Sequence, residues 1–207
     1  MFRRRMTLPL LTRVLHFMWP RTGWGRAVAY YWHRLQRIPG TPASIAAGFA
    51  CGLGVSFTPF VGLHTILAFG AAWALRGSLL SAFIGTLLIN PWTMPPIWIS
   101  TYYFGTLLLP GTEYAAVPIS QFIAMFGTMT RSLLRLDWPH FAENVLPIFW
   151  PMLVGGIPMG VAAGFVSYFL LEPPLRVLRA RRAAKREEAR SRRAATVLPR
   201  AGAEDIK

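Results

Sequence analysis

The sequence predicts an all-α protein, an integral membrane helical bundle with two proline-broken helical segments that can be re-entrant. Three observations predict this class. Charge is scarce, with 14% of the 207 residues charged against roughly 25% in soluble domains. Three stretches, 38–75, 77–112 and 144–171, contain no Asp, Glu, Lys or Arg, and each exceeds the roughly 18 residues that suggest a transmembrane helix. The first two of these stretches are interrupted near their centres by proline, at "FTPFVG" and "NPWTMPP".

The elements follow in order. Residues 1–40 read as a basic, aromatic interfacial segment. "MFRRRMTLPLLTRVLHF" lacks the long apolar core and A-x-A site of a secretory signal. In "GWGRAVAYYWHRLQRI", Trp24, Val28, Tyr31, Leu35 and Ile38 recur at helical spacing, while Arg26, His33, Arg34 and Arg37 fall largely elsewhere on the wheel. That pattern suits a helix in the membrane interface.

Residues 41–172 read as the membrane-embedded domain. Ser44–Ser56 and Leu63–Leu75 are helix-compatible, and each would be about 20 Å long. Neither half alone crosses a core of about 30 Å. Two half-helices meeting at "FTPFVG" form a re-entrant hairpin that returns Arg76 to its starting side. "RGSLLSAFIGTLLI" and "IWISTYYFGTLLLPG" flank the second break. Its three prolines remove amide donors and push the preceding residues out of the helical region. "ISQFIAMFGTMTRSLLRL" reads as an amphipathic helix resting on the membrane, and 144–171 as the last span. Within that span Gly156, Gly160 and Gly164 share a face that lets another helix approach closely.

Residues 173–207 read as a polybasic cytoplasmic tail. Pro173 and Pro174 suit the start of a new helix, and "LPRAGAEDIK" reads as disordered. Eight arginines lie in the first 37 residues and eleven Lys or Arg follow Glu172, so both termini are expected in the cytoplasm. The 111–143 loop, with two basic and three acidic residues, is then external. A net charge of +14 also invites a nucleic-acid reading. The charge flanks apolar blocks and no nucleic-acid motif is visible, so the expected partners are the bilayer and its anionic head groups. Arg176, Arg179, Arg181, Arg182, Lys185 and Arg186 are the expected lipid contacts.

The stretch from Pro42 to Gly105 resembles a bacterial membrane family called domain of unknown function 2062. The likeness rests on Pro42 and its Ala/Gly-rich helix, on the Thr58-Pro59-Phe60-x-Gly62-x-His64-Thr65 turn, and on the Asn90-Pro91-x-Thr93-x-Pro95-Pro96 turn. It covers roughly 40–171. The resemblance implies a membrane-embedded protein of the bacterial inner membrane. Many members carry Gln at the position of His64, and some sit beside a glycosyltransferase domain.

Irregular backbone at membrane depth must be buried in protein or line a watery cavity. The two turns are therefore expected to meet, placing Thr58, Pro59, Gly62, His64, Thr65, Asn90, Pro91, Thr93, Pro95 and Pro96 at one intramembrane polar site. In one reading these residues only satisfy broken backbone. In the other they take a lipid head group or small anionic solute, as half-helix N-termini and intramembrane ionisable residues can. The expected role is a small transporter or scramblase-like protein for a lipid-linked or anionic molecule. The alternative is a non-transporting scaffold for a glycosyltransferase or other glycan- or lipid-processing partner. No paired carboxylates, metal-ligand spacing or nucleotide motif is present, so no enzyme activity, metal or cofactor is expected. Cys51 is a lone thiol in an apolar run. A homo-oligomer is compatible with the sequence.

Overall fold

A computed structural model of the protein describes residues 24–60, 62–88, 93–109, 118–135 and 137–201, which form eight helices and no strand. Residues 1–23, Asn90, Pro91, Trp92 and residues 202–207 lie outside the described residues. Helix α1 is Trp24–Leu35. Leu35 at its end and the following Ile38 are buried in a cluster with Ile45, Phe49, Ile84 and Leu175, while Val28 and Tyr30 are exposed.

Helix α2, Pro42–Val55, begins at Thr41, whose Oγ1 accepts from Ser44 N at 3.1 Å, and Pro42 sits in the first turn. There a missing amide costs nothing. The helix tightens at its end, where Ser56, Phe57 and Thr58 donate to carbonyls three residues back. Pro59 then stops it. Gly62 adopts φ 85° and turns the chain into α3, His64–Ala74. Arg76 takes the left-handed conformation, φ 53°, and Gly77 N donates to Ala72 O at 2.7 Å. This closure resembles the common glycine-terminated helix end, shifted so that the glycine falls one residue later. Gly77 is needed for contact: a Cβ there would lie 2.7 Å from Gly48 N.

That contact brings the chain back to its start. Ser78 N donates to Ser44 O at 2.8 Å, so α2 and α3 form a hairpin whose base lies at residues 38–44 and 76–78 and whose tip is 56–63. Helix α4, Leu79–Thr86, then runs beside α2 in the same direction, bound through Ser81 Oγ to Ile45 O at 2.6 Å. Helix α5, Met94–Leu108, starts after the second break. Pro95 and Pro96, expected within that break, lie instead in the first turn of α5. Their fixed φ suits a helix start, where donors are surplus.

Helix α6 is Ile119–Arg135 and α7 is Trp138–Asn144, capped by Asp137, which accepts from His140 N at 3.2 Å. Phe122, Met125, Met129 and Ser132 form the buried stripe of α6. Helix α8, Leu146–Ala201, is the spine. Its first turns run antiparallel to α5, with Gly155 against Thr101 and Gly105 against Pro151. Its next turns run antiparallel to α2, with Gly156 against Phe57, Gly160 against Gly54 and Gly164 against Ala50. Helices α5 and α2, each about 21–23 Å long, therefore stack end to end along α8. The spine continues through Pro173 and Pro174 without a break, where the sequence reading set the start of the tail.

Among the described residues one helix, Leu146–Arg192 within α8, is long and apolar enough to cross a membrane, and only 28% of its most apolar window is buried inside the protein. Ile157, Val161, Phe165, Phe169 and Leu170 are exposed along it. Trp73, at the base of α3, is 78% exposed.

Candidate functional site

The first break is built at the hairpin tip. Thr58 is half-buried and its Oγ1 donates to Val55 O at 2.6 Å. Ser56 Oγ donates likewise to Gly52 O at 2.6 Å. These hydroxyls answer carbonyls in the last turns of α2 that no further helix satisfies. Pro59 is fully buried. Phe60 packs edge-to-face on Phe149, 5.4 Å between centroids, against a cluster of Tyr102, Phe122, Met125 and Met152. Gly62 is exposed. His64 opens α3: its N–H donates to Phe60 O at 2.8 Å, and its imidazole and the Thr65 side chain are half-buried. The N-terminus of α3 has no side-chain cap.

The second break shows the same economy. Thr93 is half-buried and its Oγ1 donates to Leu88 O at 3.1 Å, closing the end of α4. Pro95 is half-buried and Pro96 exposed. These prolines leave α5 with few free amides at its start. Asn90 and Pro91, both named as site residues, lie outside the described residues. What joins the two breaks among the described residues is apolar. Phe60 from the first, and Trp98 and Ile99 from the helix after the second, pack against one cluster. The described polar groups Thr58 and Thr93 each turn back on the end of the helix that precedes them.

A feature that sequence periodicity missed lies beside the first break. A cavity of about 590 Å³ runs between α2 and α8, from Ala47, Leu75 and Phe169 near the base to Thr58 near the tip. Its walls include Cys51, Gly54, Gly160, Gly164 and Phe165 and are almost wholly apolar. Gly54 and Gly160, where the backbones of α2 and α8 meet too closely for a Cβ, lie on its wall. The signal in the sequence was the run of small residues on both helices, which marks contact but not what lies next to it.

The basic residues expected to meet lipid divide into two groups. Arg176 pairs with buried Glu172 at 2.6 Å. Arg179 donates to Ile38 O at 2.7 Å, and Arg182 to Gln36 O at 3.1 Å and Gln36 Oε1 at 2.8 Å. These bonds tie α8 to the α1–α2 connection. Arg181, Lys185 and Arg186 are exposed. Among the described residues no group of three His, Cys, Asp or Glu could hold a metal ion.

A family model described as an uncharacterised protein conserved in bacteria (DUF2062) matches residues 25–184. The match takes in α1 and the first basic turns after Glu172 as well as the two broken segments. No curated protein and no solved structure matches the chain.

Proposed function

The chain belongs to the bacterial family DUF2062, and from that premise we propose that it is a multi-pass inner-membrane protein that moves a lipid-linked or anionic molecule, in the manner of a small transporter or scramblase. In this reading the hairpin of α2 and α3 is re-entrant from the cytoplasmic face. Helices α4 and α5 cross outward as one broken span, α6 and α7 lie at the outer face, and α8 crosses back. Both basic ends are then cytoplasmic, as the positive-inside rule requires. The exposed apolar face of α8 supports this, because a soluble core helix of that composition would be buried. From Trp150, exposed at one end, to Tyr168 the helix covers about 27 Å, close to one hydrocarbon thickness.

The observation that carries the transport reading is the apolar cavity that leads from the base to Thr58 at the hairpin tip. An acyl or prenyl chain fits such walls. Proteoliposomes with fluorescent phospholipids and sugar-linked lipids test it: the full chain accelerates exchange between leaflets, and Val161→Trp, which fills the cavity, slows it. His64→Gln keeps the rate if the ring serves only as a hydrogen-bonding group. Flux equal to that of empty liposomes refutes transport.

One observation favours a second reading, a membrane scaffold. Helix α8 carries exposed charged residues from Arg181 to Arg192, a rigid arm beyond the last apolar turn on which a glycan- or lipid-processing partner could dock. Absence of flux together with loss of partner activity on removing this arm would support the scaffold.

A further inference from the structure

A second cavity, of about 540 Å³, opens between the last turns of α1, the connection to α2 and the start of α4. Tyr30, His33, Arg34 and Arg37 supply its polar wall, and Ile38 and Leu80 its apolar wall. Arg34 is already oriented. Its Nη1 donates to the Tyr30 hydroxyl at 2.6 Å and its guanidinium lies 5.9 Å from the ring centroid. The remaining N–H groups of its fork stay available for an anion. None of the described carboxylates pairs with Arg34 or Arg37, whereas Arg176 is neutralised by Glu172.

The connection that carries Arg37 is fixed from behind. Arg179 and Arg182 hold the carbonyls of Ile38 and Gln36, so the cation-bearing turn is braced before any ligand arrives. From the apolar wall an exposed strip continues down α4 through Leu79, Leu80, Phe83 and Leu87, which share one helix face. Cationic rim, aromatic wall and apolar track thus occur in the order that a phospholipid presents its phosphate, glycerol and acyl chains.

We propose that this cavity is a head-group site for one anionic phospholipid, its phosphate held between Arg34 and Arg37 and its acyl chains lying along α4. The arginine fork suits phosphate oxygens in a way a lone ammonium does not. The site differs from the expected tail contacts: Arg179 and Arg182 act as positioning residues, and the ligand sits at α1. The proposal rests on the membrane reading above.

The test uses full-length protein extracted from membranes in mild detergent, with native mass spectrometry reading retained lipid. Phosphatidylglycerol is expected to remain bound in preference to phosphatidylcholine. Arg34→Gln with Arg37→Gln should weaken phosphatidylglycerol retention about tenfold, and Arg181→Gln with Arg186→Gln less than about twofold. If the double variant does not purify as a single species, Arg37→Gln alone carries the test, with a fall of about threefold. Millimolar inorganic phosphate should leave the lipid in place. Equal retention of both lipids, an equal loss in the tail pair, or displacement by inorganic phosphate would each overturn the site, the last by making it one for free anions. Recovery of the protein in the soluble fraction would instead refute the membrane reading itself.

Discussion

Gly156→Ala probes the contact that holds the first break against the spine. A Cβ at Gly156 would sit 2.5 Å from Phe57 O and 3.3 Å from Phe57 C, where ordinary contact begins at 3.4 Å. The obstruction is backbone, so a flexible side chain cannot swing away. Helix α8 and the hairpin tip must part by about 1 Å, and overpacking of this kind costs about 1–3 kcal/mol. The gain in helix propensity from glycine to alanine returns about 0.5–1 kcal/mol. The net loss, up to about 2.5 kcal/mol, lowers Tm by up to about 10 °C in a chain of this length. Gly70→Ala is the matched control: it lies in α3 with nothing within 4 Å of its added Cβ, so propensity alone acts and Tm rises by about 1–4 °C. Thermal unfolding of both variants in the same detergent, followed by tryptophan fluorescence, checks the pair. Equal shifts, or a Tm for Gly156→Ala at or above that of Gly70→Ala, would refute the close packing of α8 on the tip.

Three further outcomes follow from individual hydrogen bonds. Ser81→Ala removes the bond that joins α4 to Ile45 O, and should cost about 0.5–1.5 kcal/mol, seen as a lower Tm in the same assay. Ser132→Ala should act in the other direction, because Ser132 Oγ is buried with no hydrogen-bond partner among the described residues; Tm is expected to hold or rise, and a clear fall would mean that the hydroxyl is bonded. Arg179→Gln with Arg182→Gln releases the carbonyls of Gln36 and Ile38. Hydrogen exchange across residues 36–40 should then quicken about tenfold, and unchanged exchange would show that the connection is held by other means.

Much of the helical architecture was legible because apolar runs and breakers act locally. Thr41 and Pro42 mark the start of α2 and Pro59 its end, and the structure follows these signals within a few residues. The spacing of Gly156, Gly160 and Gly164 marks a face, and that face lies against α2. Less legible was which partner each small residue meets. Gly48 and Gly52 turn toward α4, Gly54 toward α8, and Gly155, next to Gly156, toward α5. One helix can serve three neighbours, and periodicity within that helix does not say which.

Proline misled in two places, in opposite directions. At the second break it reads as an interruption although a helix start accepts it, and Pro95 and Pro96 open α5. Pro173 and Pro174 read as the start of a new helix, whereas both lie within α8. The roles of Arg179 and Arg182 lay beyond local reading, since their acceptors are 141 and 146 residues away in sequence. At the candidate site, the residue types told of hydrogen-bonding capacity but not of its direction. Thr58 and Thr93 spend theirs on the carbonyls of Val55 and Leu88.

The membrane topology is tested most directly by labelling single cysteines in intact cells with a membrane-impermeant maleimide, in a Cys51→Ser background. Arg76→Cys reports the turn between the hairpin and α4, and Trp138→Cys reports the exposed start of α7. With α2 and α3 re-entrant and α4–α5 crossing outward, Trp138→Cys labels from outside, whereas Arg76→Cys labels only after the membrane is opened. Labelling of Arg76→Cys in intact cells, or protection of Trp138→Cys until lysis, would contradict the topology on which the proposed function stands.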